Sequence, residues 1–156
     1  MSTRILPVAP LRRAGPADAA AVRSLTRLAY AKWVPLIGRE PLPMTADYER
    51  AVVAHRIDLL ETDGTLLGLI ETIAADDHLL IENLAIHPDQ QGKGLGEHLL
   101  NHARILAQDL GYKEIRLYTN AAFTANIAFY AKRGFSEYAR EAIPKGGELV
   151  RMRQQL

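Results

Sequence analysis

The sequence contains no cysteine. That excludes disulfides, thiolate metal sites and a cysteine nucleophile, so acyl transfer through an enzyme thioester is closed to this chain. Neither sign of charge dominates: 19 Lys and Arg stand against 18 Asp and Glu, a formal net charge of +1. No basic stripe or long basic run is present, so nucleic acid is not an expected partner. No apolar run approaches the length of a transmembrane helix, and a membrane is not expected as a partner either. The segment Ile5-Leu6-Pro7-Val8-Ala9-Pro10-Leu11 is short, broken by proline and followed by Arg12-Arg13, the wrong order for a secretion signal. A cytoplasmic location is expected. Internal repeats and linkers are lacking too. At 156 residues, a single domain over 1–156 is expected, large enough to bury about two-thirds of its unfolded surface.

The most informative stretch that is present is Gln91-Gly92-Lys93-Gly94-Leu95-Gly96. It lies between an extended apolar run ending near Ile86-His87-Pro88 and an amphipathic helix that the pattern starts at about Gly94. Glycine admits positive φ and lets a ligand approach bare backbone. A helix N-terminus adds unpaired N–H groups and partial positive charge, so the stretch is a candidate anion site, most naturally for a pyrophosphate. A dinucleotide fingerprint needs a third glycine where Glu97 stands, and a Walker loop needs Lys-Ser or Lys-Thr where Glu97-His98 follows. What remains is Q-x-x-G-x-G, from Gln91, Gly94 and Gly96. The alternative is a Gly-rich strand-to-helix turn that binds nothing.

Around this loop the pattern predicts a strand over Ile5–Arg13 with an outward Arg pair at its end. A helix begins at Gly15-Pro16-Ala17-Asp18, with Val22, Leu25, Ala29 and Trp33 on its buried face. Pro35 to Pro43 reads as a loop, with Thr45 capping a second, shorter helix. Arg56–Thr62 and Thr65–Ala74 flank Asp63-Gly64 as a β-hairpin. After a turn at Asp76-Asp77, Leu79–Ile86 is apolar on both faces except at Glu82-Asn83. It reads as a central strand covered on both sides, in which those two polar groups must be paired or solvated. Leu95, Leu99, Ala103, Leu106 and Leu110 form the stripe of the helix after the glycine loop, which Gly111 ends. A strand at Glu114–Thr119, a helix at Ala125–Arg133, and a closing hairpin of Phe135–Ala142 with Leu149–Arg153 complete the chain. The expected fold is α/β, a mixed central sheet of about six to seven strands with about four helices. Ligands of such sheets bind where strand C-terminal ends open.

A second signature lies downstream. Asn126-Ile127-Ala128-Phe129-Tyr130-Ala131-Lys132-Arg133-Gly134-Phe135 resembles the N-x-x-A-x-x-F-Y-x-x-x-G-F pattern of GNAT-type N-acetyltransferases. The tail from Phe129 matches, whereas the Asn-to-Ala spacing counted from Asn126 is one residue short. With Gln91–Gly96 one strand upstream, the chain is identified by resemblance as a member of that superfamily, a single GNAT-type domain. The resemblance extends from Arg13…Asp18 to Met152 and is weakest over Trp33–Tyr48, where acceptor specificity is normally set.

The resemblance implies acetyl-CoA as co-substrate, no metal, and direct transfer to an amine in a ternary complex. Gln91, Gly92, Lys93, Gly94, Leu95 and Gly96 would hold the CoA pyrophosphate. Leu84, Ala85 and Ile86 would pair with the pantetheine amides, and Asn126 would reach the pantetheine or phosphate side. Tyr130 would protonate the leaving sulfur. A lysine-type amine of pKa ~10.4 is neutral in about one molecule in 2,500 at pH 7, a cost of about 4.6 kcal/mol, against about 1 to 1.5 kcal/mol for an α-amine near 8. A base is therefore useful: Glu82 first, Glu71 second, directly or through water. The alternatives are a structural carboxylate at Glu82 and a sheet-packing tyrosine at 130. His98 and His102 have i, i+4 spacing but lack the zincin glutamate and a third ligand, and read as solvated helix surface. The acceptor is a small-molecule amine or a peptide or protein amine; a homodimer is expected by analogy with relatives. The rival function is a non-catalytic acyl-CoA-binding sensor or regulatory module, which needs neither Glu82 nor Tyr130.

Overall fold

The structure, a computed structural model, describes residues 10–156. Its strands are β1 (Arg12–Arg13), β2 (Arg56–Thr62), β3 (Thr65–Ala74), β4 (Leu79–Ile86), β5 (Glu114–Asn120), β6 (Ser136–Ala142) and β7 (Glu148–Gln155). Its helices are α1 (Ala19–Tyr30), α2 (Val34–Ile37), α3 (Leu42–Thr45), α4 (Tyr48–Ala54), α5 (Leu95–Asp109) and α6 (Thr124–Lys132). The strands form one mixed seven-stranded sheet in the order β1-β2-β3-β4-β5-β7-β6. The α/β expectation and the strand number hold. Of the first expected strand only Arg12–Arg13 is found as strand, and residues 5–9 lie outside the described residues. No helix among the described residues is long and apolar enough to cross a membrane.

The chain divides into two compact units. One comprises the chain up to Thr72 together with Asn83–Ala103. Here a 3-10 turn at Pro16–Asp18 leads into α1, and Asp18 Oδ2 accepts the Gly15 N–H at 2.8 Å. Val22, Leu25 and Ala29 are buried as expected, against Tyr48, Ala51 and Val52 of α4 and Ile57, Leu59, Leu69 and Ala85 of the sheet. Trp33 is only partly buried. The hairpin turns at Asp63-Gly64 with φ of 52° and 76°, the paired left-handed conformation that a two-residue turn requires.

Two expectations in this unit are corrected. Pro35–Pro43 is not a plain loop, because it contributes to the short helices α2 and α3. Pro35 and Pro43 sit in first helical turns, and Pro41 precedes α3 as its cap residue, so the missing N–H costs no intrahelical bond at any of them. Nor does Thr45 cap the next helix. Asp47 does, its Oδ1 accepting the Arg50 N–H at 3.2 Å, while the Thr45 hydroxyl donates backwards to the Leu42 carbonyl. Accordingly, Asp47→Ala should lower the unfolding free energy by about 1 kcal/mol in urea denaturation, whereas Thr45→Ala should change it by under about 0.5 kcal/mol. Equal losses would restore the earlier assignment.

The other unit comprises Ile73–Glu82 and Arg104–Leu156. β4 pairs with β5 in parallel through Leu79↔Ile115, Leu80↔Arg116 and Ile81↔Leu117. β7 lies antiparallel between β5 and β6, with Leu117↔Met152 and Arg140↔Val150 among its pairs. Ile115, Leu117, Phe123, Phe135, Val150 and Met152 are buried. The Arg104 guanidinium donates to Gln154 Oε1 at 2.8 Å and to the Arg133 carbonyl at 2.6 Å. Gln154 Nε2 donates to that same carbonyl at 3.2 Å. Those bonds pin the turn after α6, where Gly134 takes φ of 98°.

Two more expectations change. Along α5, Leu95, Leu99, Ala103 and Leu106 are buried, but Leu110 is exposed, and Leu100 and Ala107 complete the stripe instead. β4 is central, yet only Leu79, Ile81, Asn83 and Ala85 on one face are fully buried, while Leu80, Glu82, Leu84 and Ile86 are half-buried.

Candidate active site

In the first unit the glycine loop follows directly from β4. The His87 ring accepts the Asp89 N–H at 3.1 Å and shapes the 3-10 turn Pro88–Gln90. Gln91 Nε2 then donates back to the Ile86 carbonyl at 3.3 Å, tying the start of the loop to the strand end. Gly92 and Gly94 have φ of 80° and 83°, and a Cβ at either would meet nothing within 4 Å. Glycine is therefore demanded by the backbone conformation, and the space beside it is open. The Gly94 carbonyl accepts the His98 N–H at 3.1 Å, so Gly94 stands at the mouth of α5. Leu95 and Gly96 open α5, in the first turn of which helix geometry supplies no intrahelical acceptors for the N–H groups. Lys93 Nζ donates to Gln90 Oε1 at 3.4 Å.

Asn83, a polar residue in an otherwise apolar strand, is buried in a network. The Tyr30 hydroxyl donates to Asn83 Oδ1 at 2.9 Å. Asn83 Nδ2 donates to Thr26 Oγ1 at 3.1 Å and to the Tyr48 hydroxyl at 3.3 Å. Tyr48 donates in turn to the Pro43 carbonyl at 2.7 Å. One carboxamide thus joins α1, α4 and β4 immediately before Leu84, Ala85 and Ile86. Glu71 is also in this unit, its side chain 4 % exposed, with Oε2 2.6 Å from His55 Nδ1.

His102 is not simply solvated helix surface. Its Nε2 lies 3.0 Å from Asp58 Oδ2, which also accepts from Arg56 Nε at 3.0 Å. Burial opposes the charge on Asp58, but these hydrogen bonds outweigh it and hold the carboxyl below the usual aspartate range. Nothing in the local sequence of α5 announces a partner 44 positions away. Among the described residues no group of three His, Cys, Asp or Glu is arranged to hold a metal ion.

In the second unit Glu82 is half-buried, and its Oε1 accepts a hydrogen bond from the Tyr118 hydroxyl of β5. Tyr118 is a partner that sequence reasoning missed. β4 and β5 run parallel here, so residues 36 apart in the chain become neighbours. Tyr130, near the end of α6, is enclosed by Phe129 and Phe135, with ring centroids at 5.2 and 5.7 Å in edge-to-face geometry. Burial pushes its phenol up to about 12. Asn126 lies in the first turn of α6, half-buried, its N–H on the Phe123 carbonyl.

Solved structures of similar fold include the PaiA N-acetyltransferase of Thermoplasma acidophilum in complex with coenzyme A. It has a TM-score of 0.81 and 20 % identity, over 94 % of this chain and 98 % of that one. A GCN5-related N-acetyltransferase of Rhodopseudomonas palustris gives a TM-score of 0.77 and 21 % identity over 97 % and 98 %. Among curated proteins, an amino-acid acetyltransferase of Vibrio cholerae is 26 % identical over 92 residues, which are 58 % of this chain. This match spans only 20 % of that relative's length. The acetyltransferase (GNAT) family matches residues 22–135 of the sequence, a span that holds both the glycine loop and the Phe129-Tyr130 tail. The chain belongs to the acetyltransferase (GNAT) family.

Proposed function

We propose that the chain transfers acetyl from acetyl-CoA directly to an amine. The observation that carries the reading is the glycine loop, two left-handed glycines with open space beside them at the mouth of α5. In this reading the N–H groups of Gly92 to Gly96 hold the diphosphate, and Gln91 keeps the loop in shape. The main chain of Leu84, Ala85 and Ile86 pairs with the pantetheine arm. That role suits a strand whose ladder with β5 covers Leu79–Ile81 while the strand itself continues to Ile86. Asn126 contacts the pantetheine or phosphate side.

The acceptor ammonium gives one proton to a base, its nitrogen forms a bond to the thioester carbonyl carbon, and the C–S bond breaks, while the second proton lost from that nitrogen goes to the departing sulfur, so that CoA leaves as the thiol. Glu82 is the base in preference to Glu71, because the Glu71 carboxylate is enclosed and already engaged by His55. Tyr118 orients Glu82 through its hydrogen bond. Tyr130 keeps its proton at neutral pH. Against a thiol reference near 8.5, complete transfer from a phenol at about 12 is uphill by roughly 5 kcal/mol. Its contribution is therefore a hydrogen bond that strengthens as charge develops on sulfur, rather than a free-standing protonation step.

The test is incubation with acetyl-CoA and a panel of small-molecule, peptide and protein amines, followed by mass spectrometry and by a thiol reagent for released CoA. With no cysteine in the chain, the protein adds no thiol background. CoA binding with no acetylation across the panel would favour a sensor over an enzyme. For an accepted lysine-type amine, Glu82→Gln should lower kcat about 100-fold at pH 7, and the deficit should shrink as pH rises and the amine deprotonates itself. An unaltered kcat would leave Glu82 a structural carboxylate.

A further inference from the structure

Lys32 stands beside the glycine loop for a reason that none of the roles above uses. It follows α1, whose last residue, Tyr30, is fastened to Asn83 of β4 at 2.9 Å. The chain therefore emerges from α1 at a fixed place. From there Lys32 Nζ donates to Gln91 Oε1 at 3.1 Å and lies 5.0 Å over the Trp33 ring. The same Gln91 carboxamide spends its N–H on the Ile86 carbonyl. Lys32, Gln91 and the strand end are thus one continuous hydrogen-bonded chain.

The partners of this ammonium are both neutral. Arg12, Arg27 and Arg140 pair with carboxylates, but among the described residues no carboxylate pairs with Lys32. An exposed carboxamide is a weak partner for an ammonium, which forms its strongest hydrogen bonds with anionic oxygen. Meanwhile the mouth of α5 supplies only about half a positive charge, less than a diphosphate carries. An uncompensated cation, on a flexible stem and within hydrogen-bond reach of the first loop residue, is what that deficit calls for.

We propose that Lys32 is a donor-binding residue whose ammonium leaves the Gln91 carboxamide for the diphosphate of CoA. The proposal rests on reading Gln91–Gly96 as the diphosphate cradle. It adds a specificity determinant from outside both sequence signatures, and it ties the end of α1 to the state of the loop. The Gln91 contact is then the resting position of the side chain.

The experiment is titration calorimetry of the wild type, Lys32→Met and Lys32→Arg with CoA, at low and high salt. Pantetheine, which has the same thiol arm without the diphosphate, is measured by displacement. Lys32→Met should weaken CoA binding about tenfold and flatten its salt dependence, with pantetheine unchanged; Lys32→Arg should stay within about threefold of wild type for CoA. Unchanged CoA affinity in Lys32→Met overturns the proposal. So does an equal loss for CoA and pantetheine, because Lys32 would then only shape Gln91. Failure of the wild type to bind CoA at all is a separate result, which removes the reading of the loop itself.

Discussion

Replacing Tyr130 with Phe should lower kcat about 10- to 100-fold and leave KM for acetyl-CoA within about twofold. The size follows from the role proposed for this hydroxyl, one hydrogen bond to a developing thiolate. Phe preserves the ring that packs edge-to-face on Phe129 and Phe135, so folding at neutral pH should be nearly unaffected. The phenol at about 12 makes two further statements. Tyr130 stays protonated through pH 10, so an alkaline limb in the rate below that pH belongs to another group. Stability also acquires a pH dependence. An unfolded tyrosine ionises near 10, whereas the buried one holds its proton to about 12. Between those values the native state binds more protons than the unfolded state, so stability must fall as pH rises. The loss across that window is on the order of 2–3 kcal/mol, and Tyr130→Phe should lack it. A variant with wild-type kcat, followed by release of CoA, would remove Tyr130 from the chemistry.

The second large effect is structural. Asn83→Leu should lower the unfolding free energy by about 2–4 kcal/mol, a drop in melting temperature on the order of 6–12 °C. The substitution removes the acceptor of the Tyr30 hydroxyl and the donor to Thr26 and Tyr48, all in one nearly dry cluster. Leucine cannot restore any of these bonds. By contrast, Tyr48→Phe should cost about 1 kcal/mol, since it removes one shared hydroxyl and keeps the ring in the core. Urea denaturation read against m-values measures both. A loss below about 1 kcal/mol for Asn83→Leu would mean that the network contributes little net stability.

How far the sequence could be read depended on whether the deciding interaction was local. Asp63-Gly64 is legible because its turn needs only its own two residues to adopt left-handed backbone. Gly92 and Gly94 are legible for the same reason. Pro35 and Pro43 mislead because proline both stops a helix and suits its first turn, and only the neighbouring packing decides between them. Thr45 and Asp47 are two residues apart and both competent caps, so their order turns on backbone angles. Glu82 and Asn83 are visible as polar residues in an apolar strand, but Tyr118, Tyr30, Thr26 and Tyr48 are not visible as their partners. His102 fails in the same way: a histidine on a helix reads as surface until β2 brings Asp58 to it. Polarity out of place marks where a site or a clasp must be, and chain topology alone supplies what it holds.

The placement of β7 between β5 and β6 has a consequence for synthesis. Residues 148–155 pair with β5 on one side and β6 on the other, so until this strand arrives β6 has no ladder and β5 has only its pairing with β4. On a ribosome, β5, α6 and β6 emerge first and must wait with open edges exposed. The second unit should therefore close in one late step, after residue 155 has cleared the exit tunnel. A nascent chain stalled just short of that point should be the most protease-sensitive and the most prone to pair with its neighbours.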